Sequence, residues 1–440
     1  MTIPTIGLSG CDRQTPEPTT ASVSSRRDVP LRVAFVGRQR DSESIQRNWA
    51  SVASVELDMN HLDSEAAALG ELTPQVIAAA ETSDAMIVPM VLIADLYASR
   101  SITELTEAWT ESLQASLGSL WPAVRNGAAT YAAERHAVPL GCPLAAVLTE
   151  AESPDMPDWS AYDAAVADQN GKAAEPLAEG YCAESFLRRV SGDVDRNWLF
   201  DRDSFQPMID QPVYVKALEL MLKTASRYRS PDLSTLEVGR KIAAGELTLG
   251  IGIPDSEATG AASLDVRDLP RGSGADVTDV DAESTTDPSL RSASVGPLLL
   301  PPMTLVGVLG SACRQTATAQ RFLGWLSGGE GITAVWNGSI DLGQTRTTPT
   351  DLFGVQEQGS PYAQWRRDQL SRTTVRPTTQ LLQGGSYYEI LDDALRSCLS
   401  SDGDAEACLS RVADRWQRLT ESIGIEKQQR AWRRTLGRSV

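Results

Sequence analysis

The sequence is short of the residues that metal and nucleic-acid chemistry require. Its 440 residues include two histidines, His61 and His136, so a histidine-rich metal site or a histidine-based triad has little material. Basic residues number 40 against 58 acidic ones, and this net charge of −18 disfavours a nucleic-acid partner and broad adhesion to an anionic membrane. Six cysteines are too few for a disulfide scaffold, and no apolar run reaches the roughly 18 residues of a membrane span.

Short motifs of common enzyme classes are also missing. The sequence holds no Gly-x-Ser-x-Gly elbow, no P-loop and no paired-glycine dinucleotide fingerprint. Carboxylates are plentiful, but none stands in a motif with catalytic spacing. We therefore expect a protein that is not an enzyme, with no cofactor and no metal.

What is present is an ordinary globular composition with alternating strand and helix patterns. Hydrophobic residues make up 41% and charged residues 22%, and the length suggests two or three domains at about 150 residues each. Strands are predicted at 31–36, 55–59 and 84–89, between helices at 42–52 and 73–82; Thr73 is the expected N-cap of the second helix. This alternation indicates an α/β lobe.

The later segments continue the alternation of helices and strands, which one polar stretch interrupts. Amphipathic helices are predicted at 212–228, 317–326 and 405–423, and strands at 247–254 and 303–309. Residues 255–296 are rich in Asp, Ser, Thr and Gly, which is typical of a solvated loop or insertion.

The first 30 residues have the pattern of a truncated lipoprotein signal and a flexible tether. Leu8-Ser9-Gly10-Cys11 has the form of a bacterial lipobox, whose cysteine becomes the lipid attachment point, and a Pro/Thr/Ser-rich run follows. The basic and apolar regions of a full signal peptide are missing. Either the first methionine lies inside the signal peptide, or the match at Cys11 is chance.

Four stretches, at 84–105, 126–141, 217–254 and 306–346, carry a family resemblance through their order and spacing. The chain resembles bacterial extracellular solute-binding protein family 1, the sugar-binding proteins of ABC transporters, which include maltose-binding protein. The resemblance implies an α/β, two-lobe periplasmic-binding-protein fold of type II, each lobe being a mixed, mostly parallel sheet flanked by helices. Lobe 1 would comprise 31–140 plus 297–350, and lobe 2 would comprise 141–254 plus 351–440.

The same resemblance implies a function. The protein would be the extracytoplasmic solute-binding component of an ABC importer, a monomer that closes about a hinge on a small carbohydrate or similar polar solute. Its partners would be the solute, an ABC permease and, through a lipid anchor only, the membrane of the cell envelope, on its periplasmic or extracellular face. Two alternatives stay open: a ligand-sensing subunit of a membrane signalling protein, and a hydrolase on the same fold.

Candidate ligand contacts come from loops at strand ends. Arg38, Gln39 and Arg40 follow the first strand, where the family often places polar contacts; the alternative is a solvated turn. Met90 and Val91 follow the third strand, where the family often has Asp or Asn, so an expected polar contact is absent.

Aromatic side chains are the second class of candidate, because their faces stack on sugar rings. Tyr181 resembles the aromatic stacker of the second lobe, and Tyr387 and Tyr388 begin a late helix that presents aromatics in the family; a core or rim position is the alternative for each. Ile253 stands where the family commonly has Trp, so this platform is missing and a maltose-like oligosaccharide is disfavoured.

Three further positions complete the predicted site. Gly141 lies at the crossing strand near the hinge. Trp336 either lines the first-lobe side of the cleft or, as we favour, has a structural role. Trp121 is expected to be a packing residue.

Cys398 and Cys408 bracket a polar turn between two predicted helices. In an oxidising envelope they would form a local disulfide; the alternative is two unpaired thiols.

Overall fold

The computed structural model describes residues 29–64, 69–150, 154–194, 198–255, 264–272, 297–339, 341–347, 360–401 and 403–436. Cys11 and most of the predicted loop at 255–296 lie outside these residues. No helix within them is long and apolar enough to cross a bilayer.

The strands, in chain order, are β1 (Leu31–Gly37), β2 (Leu57–Asp63), β3 (Ala85–Pro89), β4 (Ile102–Thr103), β5 (Ser119–Leu120), β6 (Thr130–Tyr131), β7 (Glu134–Arg135), β8 (Val138–Pro139), β9 (Ala146–Thr149), β10 (Ala173–Ala174), β11 (Leu249–Gly252), β12 (Asp265–Arg267), β13 (Leu298–Leu299), β14 (Leu305–Gly310), β15 (Arg346–Thr347) and β16 (Val375–Arg376).

The helices are α1 (Gln39–Val52), α2 (Leu69–Ala80), α3 (Ile93–Ala98), α4 (Glu107–Leu117), α5 (Pro122–Gly127), α6 (Trp159–Asp168), α7 (Cys182–Val190), α8 (Pro212–Ala225), α9 (Thr235–Ala243), α10 (Thr316–Leu326), α11 (Thr333–Asn337), α12 (Pro361–Leu370), α13 (Gly384–Ser401), α14 (Ala405–Ile423) and α15 (Ile425–Thr435).

The first lobe is built on a six-stranded mixed sheet with the order β2-β1-β3-β14-β4, and β8 also pairs with β14. β1 runs parallel to β2 and β3, whereas β14 is antiparallel to β3, β4 and β8. Side chains alternate along β1, so that Val33 and Phe35 pack on one face and Ala34 and Val36 on the other. Both faces are covered by helices, which explains the nearly continuous apolar runs of the central strands.

The second lobe is built on a smaller mixed sheet with the order β10-β11-β9-β12. β10 is parallel to β11, and β9 is antiparallel to both β11 and β12. Its main core contains aromatic side chains from α6, α7, α13 and α14, including Trp159, Phe186, Tyr387 and Trp416. The architecture is therefore α/β with two mixed sheets flanked by helices.

The chain passes between the two sheets more than once. Residues 140–145, which we call the crossing segment, join β8 of the first sheet to β9 of the second. After β12, the chain reaches the first sheet again at β14. α12 contacts β12 of the second sheet and α5 of the first lobe, and α13 contacts α2 on one side and α7 and α14 on the other. The lobes are interleaved in sequence, and these helices bridge them.

Candidate functional site

A cavity of about 170 Å³ lies where the two lobes and the bridging helix α12 meet. The first lobe contributes Arg38, Arg40, Trp121 and Trp336, and the second contributes Leu236, Arg240, Ile253 and Asp255. The crossing segment and α12 contribute Cys142, Tyr362, Ala363, Arg366 and Arg367.

The first-lobe wall begins where β1 ends. Arg38 directly precedes α1, and its guanidinium contacts the carboxylates of Asp41, at 3.3 Å, and Asp341, at 3.2 Å. Burial raises the pKa of Asp41, and the charge of Arg38 partly offsets that rise. Trp336, on α11, is buried and presents part of its surface to the cavity. This wall therefore combines a paired cation with an aromatic surface.

The second-lobe wall is formed by the end of β11 and by α9. Ser234 caps α9 in a capping box with Glu237, which sets the start of the helix. A Cβ atom added at Gly239 would lie 2.0 Å from the carbonyl oxygen of Ile253, so the backbone after β11 packs directly on α9. Arg240 then donates from Nε to Asp255, at 2.6 Å, on the cavity surface.

The floor of the cavity is the crossing segment. A Cβ atom at Gly141 would lie 1.8 Å from the carbonyl oxygen of Asp341, so only glycine fits here. Burial raises the pKa of the neighbouring Cys142 thiol to about 11, which leaves it protonated and unreactive at neutral pH. Gly141 thus supports the cavity without lining it.

The bridging helix α12 presents two polar side chains to this floor. Tyr362 donates its hydroxyl to the carbonyl of Leu144, at 2.6 Å, and burial raises its pKa to about 12. Arg366 donates from Nε to the carbonyl of Cys142, at 3.3 Å, and from Nη2 to that of Gln344, at 3.1 Å. These bonds attach α12 to the crossing segment.

Trp121 contributes an indole to the same cavity. Its backbone N–H donates to Thr345, at 3.0 Å, and Pro122 begins α5 directly after it. The indole Nε1–H is shielded from solvent and has no acceptor among the described residues. Because a buried donor without an acceptor is costly, this N–H is a candidate ligand contact.

Four of the predicted contact residues line the cavity: Arg38, Arg40, Ile253 and Trp336. Ile253 was named as the place of a missing aromatic platform, and the structure puts an aliphatic surface there. Trp336 combines both alternatives, since it is buried and also borders the cavity.

Three other predicted residues lie elsewhere. Gln39 is exposed and donates to Glu43 on the surface of α1, at 3.0 Å. Met90 is only 1% exposed and packs inside the first lobe. Tyr181 precedes α7 in the second lobe and is not among the cavity residues.

Tyr387 and Tyr388 do not line the cavity and occupy the core position that was the alternative for each. Both rings are buried, at 0% and 1% exposed, in the core of the second lobe. The Tyr387 hydroxyl shares a hydrogen bond with that of Thr420, at 2.7 Å, and the Tyr388 hydroxyl donates to the carbonyl of Gly180, at 3.0 Å. Neighbouring tyrosines can both be buried here because α13 is covered by α2, α7 and α14.

The expected disulfide between Cys398 and Cys408 is not formed in this structure. Both residues are buried free thiols at the facing ends of α13 and α14. Each has its own carbonyl acceptor: Cys398 donates to Gly403 and Cys408 to Ala394, both at 3.3 Å. These local bonds satisfy the thiols without a covalent link.

Sequence reasoning missed most of the polar lining. Arg240, Asp255, Tyr362 and Arg366 reach the cavity from helix faces or loop ends that only the tertiary fold brings together. No local motif distinguishes Trp121 from a packing residue, which is what the sequence predicts for it. The described residues contain no group of three or more His, Cys, Asp or Glu side chains that could hold a metal.

No protein-family model and no curated protein matches the sequence. Solved structures do resemble it. Maltose-bound T. maritima MalE3 aligns with a TM-score of 0.66 and 14% identity, over 88% of this chain and 100% of that one.

The chain has the two-lobe fold of periplasmic sugar-binding proteins. An ABC-transporter solute-binding protein from Agrobacterium vitis S4 with bound D-mannitol shares this fold, with a TM-score of 0.62 and 12% identity over 90% of this chain and 99% of that one. The GacH receptor of Streptomyces glaucescens, solved unliganded and with acarbose, also shares this fold. It aligns with a TM-score of 0.61 and 13% identity, over 90% of this chain and 99% of that one. The fold class expected from the sequence is confirmed.

Proposed function

We propose that this protein is the extracytoplasmic solute-binding component of an ABC importer, and that it binds a small carbohydrate or similar polar solute between its lobes. The observation that carries the proposal is the cavity itself, which both lobes line with aromatic and polar groups. Such a mixture suits a sugar, because aromatic faces pack on its C–H surface and polar groups satisfy its hydroxyls. The fold is shared with proteins solved with maltose, D-mannitol and acarbose.

The dimensions of the cavity favour a small solute. Its volume of about 170 Å³ is below the range of about 300–1,000 Å³ that is usual for drug-sized ligands. A monosaccharide or a polyol matches this space better than an oligosaccharide does. The aliphatic surface at Ile253, where the family commonly has Trp, supports the same preference.

Thermal-shift screening against monosaccharides and polyols, followed by titration calorimetry, tests whether the cavity binds solute. Ala363→Trp on α12 would fill the cavity, whereas Gln364→Trp would place the same ring on the exposed face of that helix. We expect ligand to raise the melting temperature of the native protein and of Gln364→Trp, and not of Ala363→Trp. Equal binding by both variants would place the ligand elsewhere.

Closure of the lobes about the crossing segments is the second part of the proposal. Small-angle scattering with and without saturating ligand measures it directly, because closure lowers the radius of gyration. An unchanged radius on saturated binding would rule closure out.

The remaining parts of the proposal concern partners and location. We propose that the protein acts as a monomer, docks on an ABC permease, and is held on the periplasmic or extracellular face of the cell envelope by a lipid on Cys11. Intact-mass measurement of membrane-extracted protein, compared with Cys11→Ser, tests the anchor. A mass without a lipid adduct on the native protein would exclude it.

A further inference from the structure

The cavity has a strongly basic lining in an acidic protein. The chain carries a net charge of −18, yet the charged residues that line the cavity, among those that the structure describes, are five arginines and one aspartate: Arg38, Arg40, Arg240, Arg366, Arg367 and Asp255. A recessed site whose charges share one sign focuses the electric field and raises the local concentration of ligands of the opposite sign. Neutral sugars gain nothing from such a field.

Part of this charge is balanced within the protein, and Arg40 and Arg367 also have interactions there. Arg240 pairs with Asp255 at 2.6 Å, and Arg38 pairs with Asp41 and Asp341. These pairs are accounted for without a ligand, so they do not by themselves require an anion.

Arg366 differs from these paired arginines. Both of its hydrogen bonds go to neutral backbone carbonyls, of Cys142 and Gln344, which orient the guanidinium without neutralising it. Among the described residues, no carboxylate oxygen lies within 4.0 Å of its nitrogens. The Nε–H and one Nη2–H of this half-buried guanidinium are committed to the two carbonyls, so the N–H groups that remain for an oxyanion are those on Nη1 and the second one on Nη2.

The backbone around Arg366 is shaped to admit the guanidinium. A Cβ atom added at Gly343 would lie 3.0 Å from Nη1 and 3.1 Å from Nη2 of Arg366. Glycine at this position therefore lets the guanidinium lie close against the chain beside the crossing segment. The arrangement holds the charge at the floor of the cavity.

A second, independent donor points to the same ligand chemistry. Trp121 borders the cavity, and its indole N–H is shielded from solvent and has no acceptor among the described residues. A guanidinium and an indole N–H only donate hydrogen bonds, so their shared complement is a group that only accepts them. Carboxylates and phosphates are such groups.

We propose that the interlobe cavity takes a small solute bearing an oxyanion, such as a sugar acid or a sugar phosphate, and that Arg366 binds the oxyanion with Trp121 as a second donor. This inference rests on the proposed function, since it specifies the class of solute for the same cavity. The hydroxyl-bearing remainder of the solute would lie against Trp336 and Tyr362.

Matched neutral and acidic solutes test this class. Glucose, galactose and mannitol are compared by calorimetry with glucuronate, galacturonate, gluconate and glucose 6-phosphate at low and physiological salt. We expect at least one acidic member to bind about 10-fold or more tighter than its neutral counterpart, and to weaken as salt rises. Carboxylates and the phosphate ester form separate arms, so the preferred oxyanion is identified in the same experiment.

Substitution of Arg366 tests whether this residue causes the preference for acidic over neutral solutes. Arg366→Gln is expected to lower the ratio of acidic-solute affinity to neutral-solute affinity by about 10- to 100-fold, whereas Arg366→Lys retains part of the preference. Arg47→Gln, at an exposed position of α1 outside the cavity, is the control and should leave this ratio unchanged.

The outcomes separate this inference from the proposed function. A neutral solute that binds as tightly as its acidic partner overturns the oxyanion assignment and leaves solute binding intact. An acidic preference that survives Arg366→Gln overturns the role of Arg366. Binding by none of the solutes counts against the proposed function itself and, with it, the inference.

Discussion

Asp95 is a buried acid where α3 contacts the residues that directly precede α13. It lies on α3, is 7% exposed, and accepts a hydrogen bond on Oδ1 from the backbone N–H of Gln383, at 2.8 Å. Burial raises its pKa to about 7, and the Gln383 bond only partly offsets this rise. Its charge state therefore changes near neutral pH.

The raised pKa of Asp95 makes the folded state more stable at low pH than at high pH. The carboxyl ionises near pH 4 in the unfolded chain but near pH 7 in the folded one, so the folded state binds more protons between these values. The stabilising contribution is complete below about pH 4 and is lost as the pH rises through 7. We expect Asp95→Asn, which keeps an acceptor for Gln383, to raise the free energy of unfolding at pH 8 by about 2 to 4 kcal/mol and to flatten its pH dependence.

Urea unfolding from pH 5 to pH 8 measures this effect. Asp414→Asn, at an exposed position of α14, serves as the control. A profile of Asp95→Asn that parallels that of the native protein would show that Asp95 is ionised in the fold throughout.

Gly141 is the residue on which the floor of the cavity depends. Since an added Cβ atom would lie 1.8 Å from the carbonyl oxygen of Asp341, the crossing segment cannot keep its position in Gly141→Ala. We expect a loss of about 2 to 4 kcal/mol in the free energy of unfolding and weaker ligand binding.

Gly192→Ala is the matched control for Gly141→Ala. A Cβ atom there would meet its nearest neighbour, the backbone nitrogen of Gly272, at an ordinary 3.4 Å. Chemical denaturation and calorimetry of both variants provide the comparison, and equal stabilities would contradict the packing argument.

At the residue scale, the sequence predicted positions that follow directly from strand ends. Arg38, Arg40 and Ile253 reach the cavity because they come directly after, or within three residues of, the strands β1 and β11. Arg240 and Arg366 could not be found in this way, because their place depends on which face of α9 and α12 the rest of the fold covers.

At the scale of elements, α13 and α2 pack at unusually close range. A Cβ atom at Gly385 would lie 2.5 Å from the backbone carbonyl atoms of Leu69, and one at Gly70 would lie 2.3 Å from the Glu389 side chain. Small residues on both helices therefore allow their backbones to touch. This contact joins the C-terminal helices of the second lobe to the first lobe.

We expect Gly385→Ala to separate these helices and to lower the free energy of unfolding by about 2 kcal/mol, despite the higher helix propensity of alanine. Ser397→Ala, on the exposed face of α13, gives the propensity effect without the clash. Circular dichroism during chemical denaturation measures both, and a stabilised Gly385→Ala would show that α13 has room to move.

Helix bounds were predicted well where an apolar stripe repeats over several turns, and poorly where a single capping residue was used to place the start of the helix. The predicted helix 405–423 coincides with α14, and Leu409, Val412 and Trp416 of its apolar stripe are buried. The expected start at Thr73 is wrong, because α2 begins at Leu69 and includes Pro74. Packing of Leu69 and Leu72 into the first lobe offsets the hydrogen bond that the proline removes.

At the scale of the whole molecule, the two lobes should unfold as one unit. The chain passes between the sheets more than once, and α12 and α13 contact both lobes. Neither lobe can lose its structure without exposing apolar surface of the other. We expect one calorimetric transition whose van't Hoff and calorimetric enthalpies agree.

A bound solute should raise that single transition without splitting it. Two separate transitions in the unliganded protein would show that the contacts of α12 and α13 are too weak to couple the lobes.

The whole-molecule architecture was predicted from the order of segments, but the electrostatics of the cavity were not. The acidic net charge of the sequence describes the average over the chain and conceals a cavity lined by arginines. Charge composition carries no information on which side chains converge, so this contrast becomes visible only in three dimensions.

The position of β14 has a consequence for folding during synthesis. This strand lies in the interior of the first sheet, yet Val306 pairs with Val88 across roughly 220 residues of chain. At about 5 to 20 residues per second, synthesis of the intervening segment takes about 10 to 45 seconds. Until then, β3 lacks its neighbour on one side, so the first lobe cannot complete its sheet or close its core while the second lobe is being synthesised.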